Sequence, residues 1–259
     1  MATTVLVHRD PPTLAAAVAA RLVTRLVDVQ AATGRASVVL TGGSVGIATL
    51  GALADMPARD AIDWRNLDIW WGDERFLPLG HADRNETQAR AALLDKVGVD
   101  PARVHPMPAS DGPDGDDPEA AAERYAAELK AAARPEDHGI APSFDVCLLG
   151  VGPDGHVASL FPEKPALYEE VRSVVGVRGS PKPPPTRISL TMPTIRGAKE
   201  VWFVVAGEDK ASAVHLALSG AGPMQIPAAG ASGRTRTLWL LDRAAASKLP
   251  PSLARLASP

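Results

Sequence analysis

The stretch FDVCLLGVGPDGH, residues 144–156, joins an apolar run to a polar turn. The run over 144–150 is apolar except for Asp145, which predicts a buried strand. Strands that are apolar throughout are typical of a parallel sheet covered by helices on both faces. In such sheets ligands bind beyond the carboxyl ends of the strands. The polar turn therefore stands where a binding or catalytic site is expected.

Similar apolar runs alternate with helical patterns along the rest of the chain. Further strands are expected at 3–8, 36–40, 67–71, 187–191, 201–207 and 237–241. Helices are expected at 11–34, 45–55, 84–97, 119–133 and 209–218. Because strands and helices alternate, we expect an α/β fold: one domain over residues 1–259, built as a three-layer α/β/α sandwich with a mostly parallel, Rossmann-like sheet.

Composition and charge exclude several classes of protein. The net charge is −3, so the chain lacks the excess of basic residues that is typical of nucleic-acid-binding proteins. No apolar run approaches the roughly 18 residues of a membrane span, and the amino terminus lacks a signal-peptide pattern. The single cysteine, Cys147, lies in a predicted strand and is expected to be an inert buried thiol in a reducing compartment. We expect a soluble cytoplasmic monomer.

Four polar clusters follow predicted strands: TGGS (41–44), GDER (72–75), GVGPDGH (150–156) and GEDK (207–210). In the first, Gly42 and Gly43 would let the backbone approach an anion, and the helix that follows offers free N–H groups. Ser44 could add a hydroxyl. The alternative is a tight turn with Ser44 as the helix N-cap. The TGGS motif alone does not decide between them.

Three basic residues stand beside these clusters. Arg75, in GDER, could bind a phosphate or polarise a carbonyl oxygen. Arg187 follows PKPPPT, and this rigid run could aim it into a pocket. Lys210 stands at a strand-to-helix turn, where its ammonium group could meet a phosphate. Taken singly, each of these residues is more often an ordinary surface charge.

The turn GVGPDGH also contains the pattern G-x-G-x-x-G, which outlines a dinucleotide-binding loop. We reject that interpretation because Pro153 interrupts the loop and no clear βαβ unit follows it. His156 is instead a candidate general base near neutral pH, with Asp154 placed to orient it. Ser159 lacks the G-x-S-x-G pattern of a serine nucleophile. The other histidines have no paired ligand spacing, so no metal is expected.

The motifs T-G-G-S, W-G-D-E-R, L-G-V-G-P-D-G-H-V-A-S-L-F-P, R-I-S-L-T and A-G-E-D-K together resemble the 6-phosphogluconolactonase family, in that family's order over residues 41–210. The resemblance implies hydrolysis of 6-phospho-D-glucono-1,5-lactone to 6-phosphogluconate, a step of the oxidative pentose phosphate pathway. It implies an enzyme without metal or cofactor, whose partner is the phosphosugar lactone. It also implies a fold similar to that of glucosamine-6-phosphate deaminase.

The resemblance also assigns roles to individual positions. His156 matches the proposed general base, Arg75 matches an arginine near the lactone or its developing oxyanion, and Asp73 matches a neighbouring acidic residue. The substrate loop and the phosphate-binding cations correspond to Gly42, Gly43, Ser44, Arg187 and Lys210. Which of the three cations meets the phosphate and which the lactone carbonyl stays open.

One departure from the family pattern is visible. The family often reads D-S-N where this chain has Asp83, Arg84 and Asn85. Arg84 in place of serine could remove a hydrogen bond, which leaves the role of Asn85 open.

Two alternatives use similar motifs. A glucosamine-6-phosphate deaminase would read D-E-Y where this chain has residues 73–75, and I-A-F-N-E-P rather than V-A-S-L-F-P after G-H. A non-catalytic phosphosugar sensor would carry a helix-turn-helix segment, whereas this chain begins with a predicted strand. Both differences favour the lactonase.

Overall fold

A central parallel sheet forms the body of the computed structural model, which describes residues 2–137 and 139–257. His138 lies outside the described residues. The strands are β1 (Ala2–His8), β2 (Ala36–Leu40), β3 (Leu67–Trp71), β4 (Asp73–Arg75), β5 (Val146–Leu149), β6 (Val174–Val177), β7 (Arg187–Leu190), β8 (Glu200–Val205), β9 (Arg236–Asp242) and β10 (Arg255–Leu256). The helices are α1 (Pro11–Thr33), α2 (Ser44–Asp55), α3 (Asn85–Ala92), α4 (Pro118–Ala132), α5 (Met192–Arg196), α6 (Ala211–Leu218) and α7 (Pro227–Gly230).

Within the described residues the central sheet has seven strands in the order β10-β1-β9-β8-β5-β2-β3, and each neighbouring pair is parallel. The four strands followed by polar clusters, β8, β5, β2 and β3, are adjacent in this order. Because parallel strands point the same way, their carboxyl ends meet at one edge of the sheet. All four predicted clusters therefore converge there.

A second sheet is antiparallel and was not anticipated by the sequence pattern. Among the described residues it contains three strands in the order β4-β7-β6. The pattern at 187–191 correctly predicts a strand, but that strand belongs to this small sheet. The GDER cluster is itself a strand, β4, rather than a loop. The small sheet joins the end of β3, since Leu190 donates its backbone N–H to the Gly72 carbonyl at 2.9 Å.

Helix α1 illustrates how sequence signals set the elements. The Asp10 side chain accepts the Thr13 N–H at 2.8 Å as an N-cap, and Gly34 ends the helix at a φ of 79°. The apolar stripe Leu14, Val18, Leu22 and Leu26 is buried, at about 1.5–3 kcal/mol for each large side chain. The helix predicted over 84–97 is shorter and ends at Ala92. In the described part of the chain, no helix combines the length and apolar character that crossing a membrane demands.

Candidate functional site

A cleft of about 290 Å³ opens where the carboxyl ends of the central strands face the small sheet. This volume is at the lower end of the range for small-molecule pockets, which is about 300–1,000 Å³. The residues predicted from separate clusters line it together: Gly42, Gly43, Ser44, Asp73, Arg75, His156, Arg187 and Lys210. Asp154, the remaining predicted residue, contacts His156.

His156 is held in one orientation by two neighbours. Its Nδ1 lies 2.5 Å from Oδ1 of Asp154, and its ring packs against Phe161 with the centroids 4.5 Å apart. The same Asp154 oxygen accepts the His156 backbone N–H at 3.2 Å. A carboxylate at Nδ1 favours the tautomer that carries its proton there. Nε2 is then the nitrogen left to accept a proton.

Asp154 is suited to this task because it stays ionised. Partial burial opposes its ionisation, but the hydrogen bonds and charge of His156 outweigh burial and lower the pKa of the carboxyl. Gly152 makes the pairing possible, since a Cβ there would stand 2.1 Å from the imidazole ring. Gly155, at a φ of +82°, completes the turn. Gly152 thus accommodates the imidazole, which is consistent with rejecting a cofactor loop.

Two arginines face each other across the small sheet. Arg75 in β4 pairs directly with Arg187 in β7, and both line the cleft. Like charges at opposed positions of an antiparallel pair repel. The arrangement is stabilised by nearby oxygens, including those of Asp73, and it would be stabilised further by a bound anion. The cleft therefore has the electrostatics of an anion-binding site.

Arg187 is buried beneath the proline loop, as its sequence position suggests. Burial lowers the pKa of its guanidinium, Asp73 opposes that shift, and the charge of Arg75 adds to it. An arginine nevertheless remains charged in proteins. The guanidinium lies over the ring of Phe161, 5.9 Å from the centroid, so the phenyl group contacts both Arg187 and His156.

Asp73 is fixed by a buried serine that sequence reasoning treated only as a rejected nucleophile. Oγ of Ser159 donates to Oδ2 of Asp73 at 2.7 Å, and the Ser159 backbone N–H donates to Oγ of Ser189 at 3.1 Å. Ser159 is fully buried. These bonds tie the segment after His156 to β4 and β7. In the sequence, these hydrogen bonds are indicated only by a serine three residues after the candidate base.

Asn85 links the arginine to the acidic residue. Its Oδ1 accepts a hydrogen bond from Nη1 of Arg75, and its Nδ2 donates to the Asp73 carbonyl at 2.8 Å. A Cβ on Gly42 would overlap Asn85, with 1.9 Å to Oδ1. Gly42 is therefore needed to seat Asn85, whatever contact its backbone makes with a ligand.

Glu74 fixes the backbone of Asn85 through a hydrogen bond. Its carboxylate is fully buried and accepts three backbone N–H groups, from Arg75 at 2.8 Å, Asn85 at 2.6 Å and Glu86 at 2.9 Å. Asn85 and Glu86 begin α3, so this carboxylate caps the helix from a neighbouring strand. Glu74 is a positioning residue that sequence reasoning missed.

Arg84 does not disturb the cleft. Its guanidinium is buried and donates to the carbonyls of Leu77 at 3.1 Å and Met107 at 2.7 Å, and it pairs with Glu86 at 3.2 Å. The side chain that replaces the family's serine thus points into the protein body. Asn85 keeps its place through Glu74 and Asp73 instead.

Glu74 should make stability depend on pH in an unusual direction. Burial raises its pKa from an ordinary 4.5 to about 7, although Arg84 and the three N–H donors oppose this. Between these values the folded protein binds more protons than the unfolded chain, so its free energy of unfolding falls as pH rises. The difference between wild type and Glu74→Gln should decline by about 3 kcal/mol from pH 4.5 to 8, measured by urea unfolding. A flat or rising difference would contradict this.

The TGGS segment places the start of α2 at the cleft. Gly43, not Ser44, is the N-cap, at a φ of 81°, and no side chain caps the helix. The interpretation of Ser44 as N-cap is therefore wrong: Ser44 is the first helical residue and is exposed. The first backbone hydrogen bond of the helix runs from Ile47 to Gly43, so the earlier N–H groups have no partner within the helix. They are available to an anion.

Two lysines complete the cleft. Nζ of Lys210 lies 2.6 Å from Oδ2 of Asp209, beside the turn at Gly207. Lys182, in the proline loop before β7, also lines the cleft and was not predicted. The sequence did contain a signal, because the loop PKPPPT was expected to aim a side chain into a pocket. The structure shows that this loop brings Lys182 as well as Arg187 to the cleft.

Comparison with known proteins gives a consistent result. The family model described as glucosamine-6-phosphate isomerases/6-phosphogluconolactonase matches residues 9–239. The chain is 67% identical over 247 residues to the 6-phosphogluconolactonase of Streptomyces coelicolor, covering 95% of each chain. The solved structure of the Trypanosoma brucei 6-phosphogluconolactonase is similar at a TM-score of 0.82 and 29% identity, covering 96% of this chain and 99% of that one.

A monomeric glucosamine-6-phosphate deaminase is also similar in structure. It matches at a TM-score of 0.74 and 19% identity, covering 93% of this chain and 98% of that one. At this identity the likeness concerns the fold alone. It confirms the predicted α/β fold and its similarity to the deaminase.

Proposed function

Because the chain belongs to the glucosamine-6-phosphate isomerase/6-phosphogluconolactonase family, we propose that its cleft hydrolyses a phosphosugar lactone with His156 as the general base. The chain is an enzyme that converts 6-phospho-D-glucono-1,5-lactone to 6-phosphogluconate, in the oxidative pentose phosphate pathway. The observation that carries the mechanism is the Asp154–His156 pair at the edge of an arginine-lined cleft.

The first step forms a tetrahedral intermediate. Nε2 of His156 takes a proton from water as the water oxygen bonds to C1 of the lactone. The electron pair of the carbonyl moves to its oxygen, which becomes an oxyanion. Asp154 accepts a hydrogen bond from the Nδ1–H group throughout and stabilises the imidazolium.

The second step opens the ring. The oxyanion re-forms the carbonyl, the bond between C1 and the ring oxygen breaks, and the ring oxygen takes the proton from Nε2. The product is a carboxylic acid, which ionises at neutral pH and releases one proton to the solvent. Net proton release is therefore the signature of turnover.

The remaining cleft residues divide into two groups. We assign stabilisation of the oxyanion to Arg75, and its hydrogen bond to Asn85 supports this role by fixing the guanidinium. The start of α2, with Arg187 and Lys210, receives the phosphate. A general base supplies about 10²–10⁴-fold and one oxyanion donor about 10²–10³-fold. Phosphate binding at a remote group holds C1 in place. Since lactones are reactive esters, no covalent intermediate is needed.

The test uses lactone generated in situ with glucose-6-phosphate dehydrogenase. Proton release after addition of this protein should be faster than the spontaneous rate. A rate equal to the spontaneous one would overturn the proposed function, and ammonia release from glucosamine 6-phosphate would indicate the deaminase. The names of the relatives do not favour that alternative.

We further propose that residues 1–259 form one domain that acts as a cytoplasmic monomer. The sharing of one cleft by both sheets supports the single domain. A mass measured by light scattering under assay conditions tests the monomer.

A further inference from the structure

The cationic side chains of the cleft differ in how many hydrogen bonds and ion pairs they already make with other protein groups. Arg75 donates through Nη1 to Asn85 and to the Asp83 carbonyl, and Lys210 pairs with Asp209. Arg187 donates to three carbonyls of the proline loop. In contrast, Nζ of Lys182 has neither a hydrogen bond nor an ion pair within residues 2–137 and 139–257.

The loop that carries Lys182 is held in place from two directions. Arg187 donates from Nε to the Pro184 carbonyl at 3.2 Å, and from Nη2 to the Lys182 carbonyl at 3.1 Å and the Pro183 carbonyl at 3.2 Å. Ser180 accepts the Lys182 N–H at 3.2 Å and donates its hydroxyl to the Lys182 carbonyl at 2.9 Å. The backbone of Lys182 is therefore fixed while its ammonium group is not.

Three of the five N–H groups of Arg187 are used in this way, which leaves Nη1 for the cleft. Arg187 thus both lines the cleft and holds the loop that carries Lys182. An ammonium group without a partner gives up only hydration when it meets a phosphate, whereas a paired one must also leave its carboxylate.

We propose that Lys182 is a substrate-binding residue whose ammonium group meets the phosphate of the lactone, and that Arg187 holds it there through the loop carbonyls of residues 182–184. This rests on the proposed function, since it assigns a further contact to the same substrate. The proline loop, which lines the cleft, then supplies affinity at the phosphate end of the lactone. It contributes to binding and not to the chemical step.

Substitution of Lys182 tests the contact. Lys182→Met keeps the apolar stem and removes the charge, so KM for the lactone should rise about tenfold while kcat stays within twofold. Lys182→Arg should restore most of the affinity. The matched control is Lys130→Ala, an exposed lysine on α4, which should leave both constants unchanged. An unchanged KM in Lys182→Met, or an equal loss in kcat, would overturn the proposal.

A double-mutant cycle tests the role of Arg187. Lysine at position 187 keeps the charge but cannot reach all three carbonyls, so the loop should loosen. In an Arg187→Lys background, Lys182→Met should then raise KM by much less than tenfold. In a Lys130→Ala background its effect should stay near tenfold, because Lys130 lies outside the cleft lining. Full additivity with Arg187→Lys would refute the loop-holding step. Lactone acceleration by the wild type is judged separately, so failure here leaves the proposed function standing.

Discussion

Replacing His156 with alanine is expected to lower kcat by about 10²–10⁴-fold while KM changes little. The imidazole is the group placed to take a proton from water, and Asp154 leaves Nε2 as its accepting atom. The phosphate-binding cations remain in place, so substrate affinity should persist. Initial rates of proton release, corrected for spontaneous hydrolysis, measure both constants.

The control is His215→Ala, on α6 and outside the cleft lining, which should turn over like the wild type. Circular dichroism and thermal unfolding check that His156→Ala is folded. His156→Gln provides a second variant that fills more of the space beside Phe161 without a basic nitrogen. A folded His156→Ala protein with near-native kcat would refute the mechanism.

The convergence of polar clusters at the sheet edge could be predicted from the sequence alone. Each cluster follows an apolar run, and parallel strands bring their carboxyl ends together whatever their order. That rule predicts that Ser44, His156 and Lys210 lie at one edge of the sheet, and all three line the cleft. The rule requires only that apolar runs followed by polar clusters be recognised, and both are local features of a single sequence.

The small antiparallel sheet could not be predicted in this way. Its strand β4 is the charged tripeptide Asp73–Arg75, which carries no apolar alternation. It becomes a strand because β7, more than a hundred residues later, supplies its hydrogen bonds. The pairing of Arg75 with Arg187 follows from that register. Such non-local pairing, like the bond from Ser159 to Asp73, leaves no local mark in the sequence.

The position of Asn85 is a second feature of the site that the sequence could not predict. The sequence marked Arg84 as a departure from the family pattern and so placed Asn85 in doubt. The structure resolves this because Glu74 fixes the backbone of Asn85 and the Asp73 carbonyl fixes its amide. A buried carboxylate that caps a helix from another element is invisible to capping rules, which examine only the residues next to the helix start.

Asp154→Asn is expected to lower kcat by about 10²–10⁴-fold with KM nearly unchanged. The amide is close in size to the carboxylate, but it has no negative charge to stabilise the imidazolium that forms when His156 takes a proton. If its Nδ2 faces the ring, it also favours the tautomer whose Nε2 is protonated and cannot act as a base. The matched control is Asp116→Asn, an exposed loop carboxylate, which should retain full kcat.

The combination of the two variants separates a role through His156 from a direct one. If Asp154 acts only by orienting and stabilising the imidazole, removing the imidazole removes its effect as well. The double variant His156→Ala/Asp154→Asn should then be no slower than His156→Ala alone. A further loss of tenfold or more in the double variant would mean that Asp154 contacts the reacting groups itself. Asp154 would then be a catalytic residue in its own right, and the proton path through Nε2 would have to be redrawn.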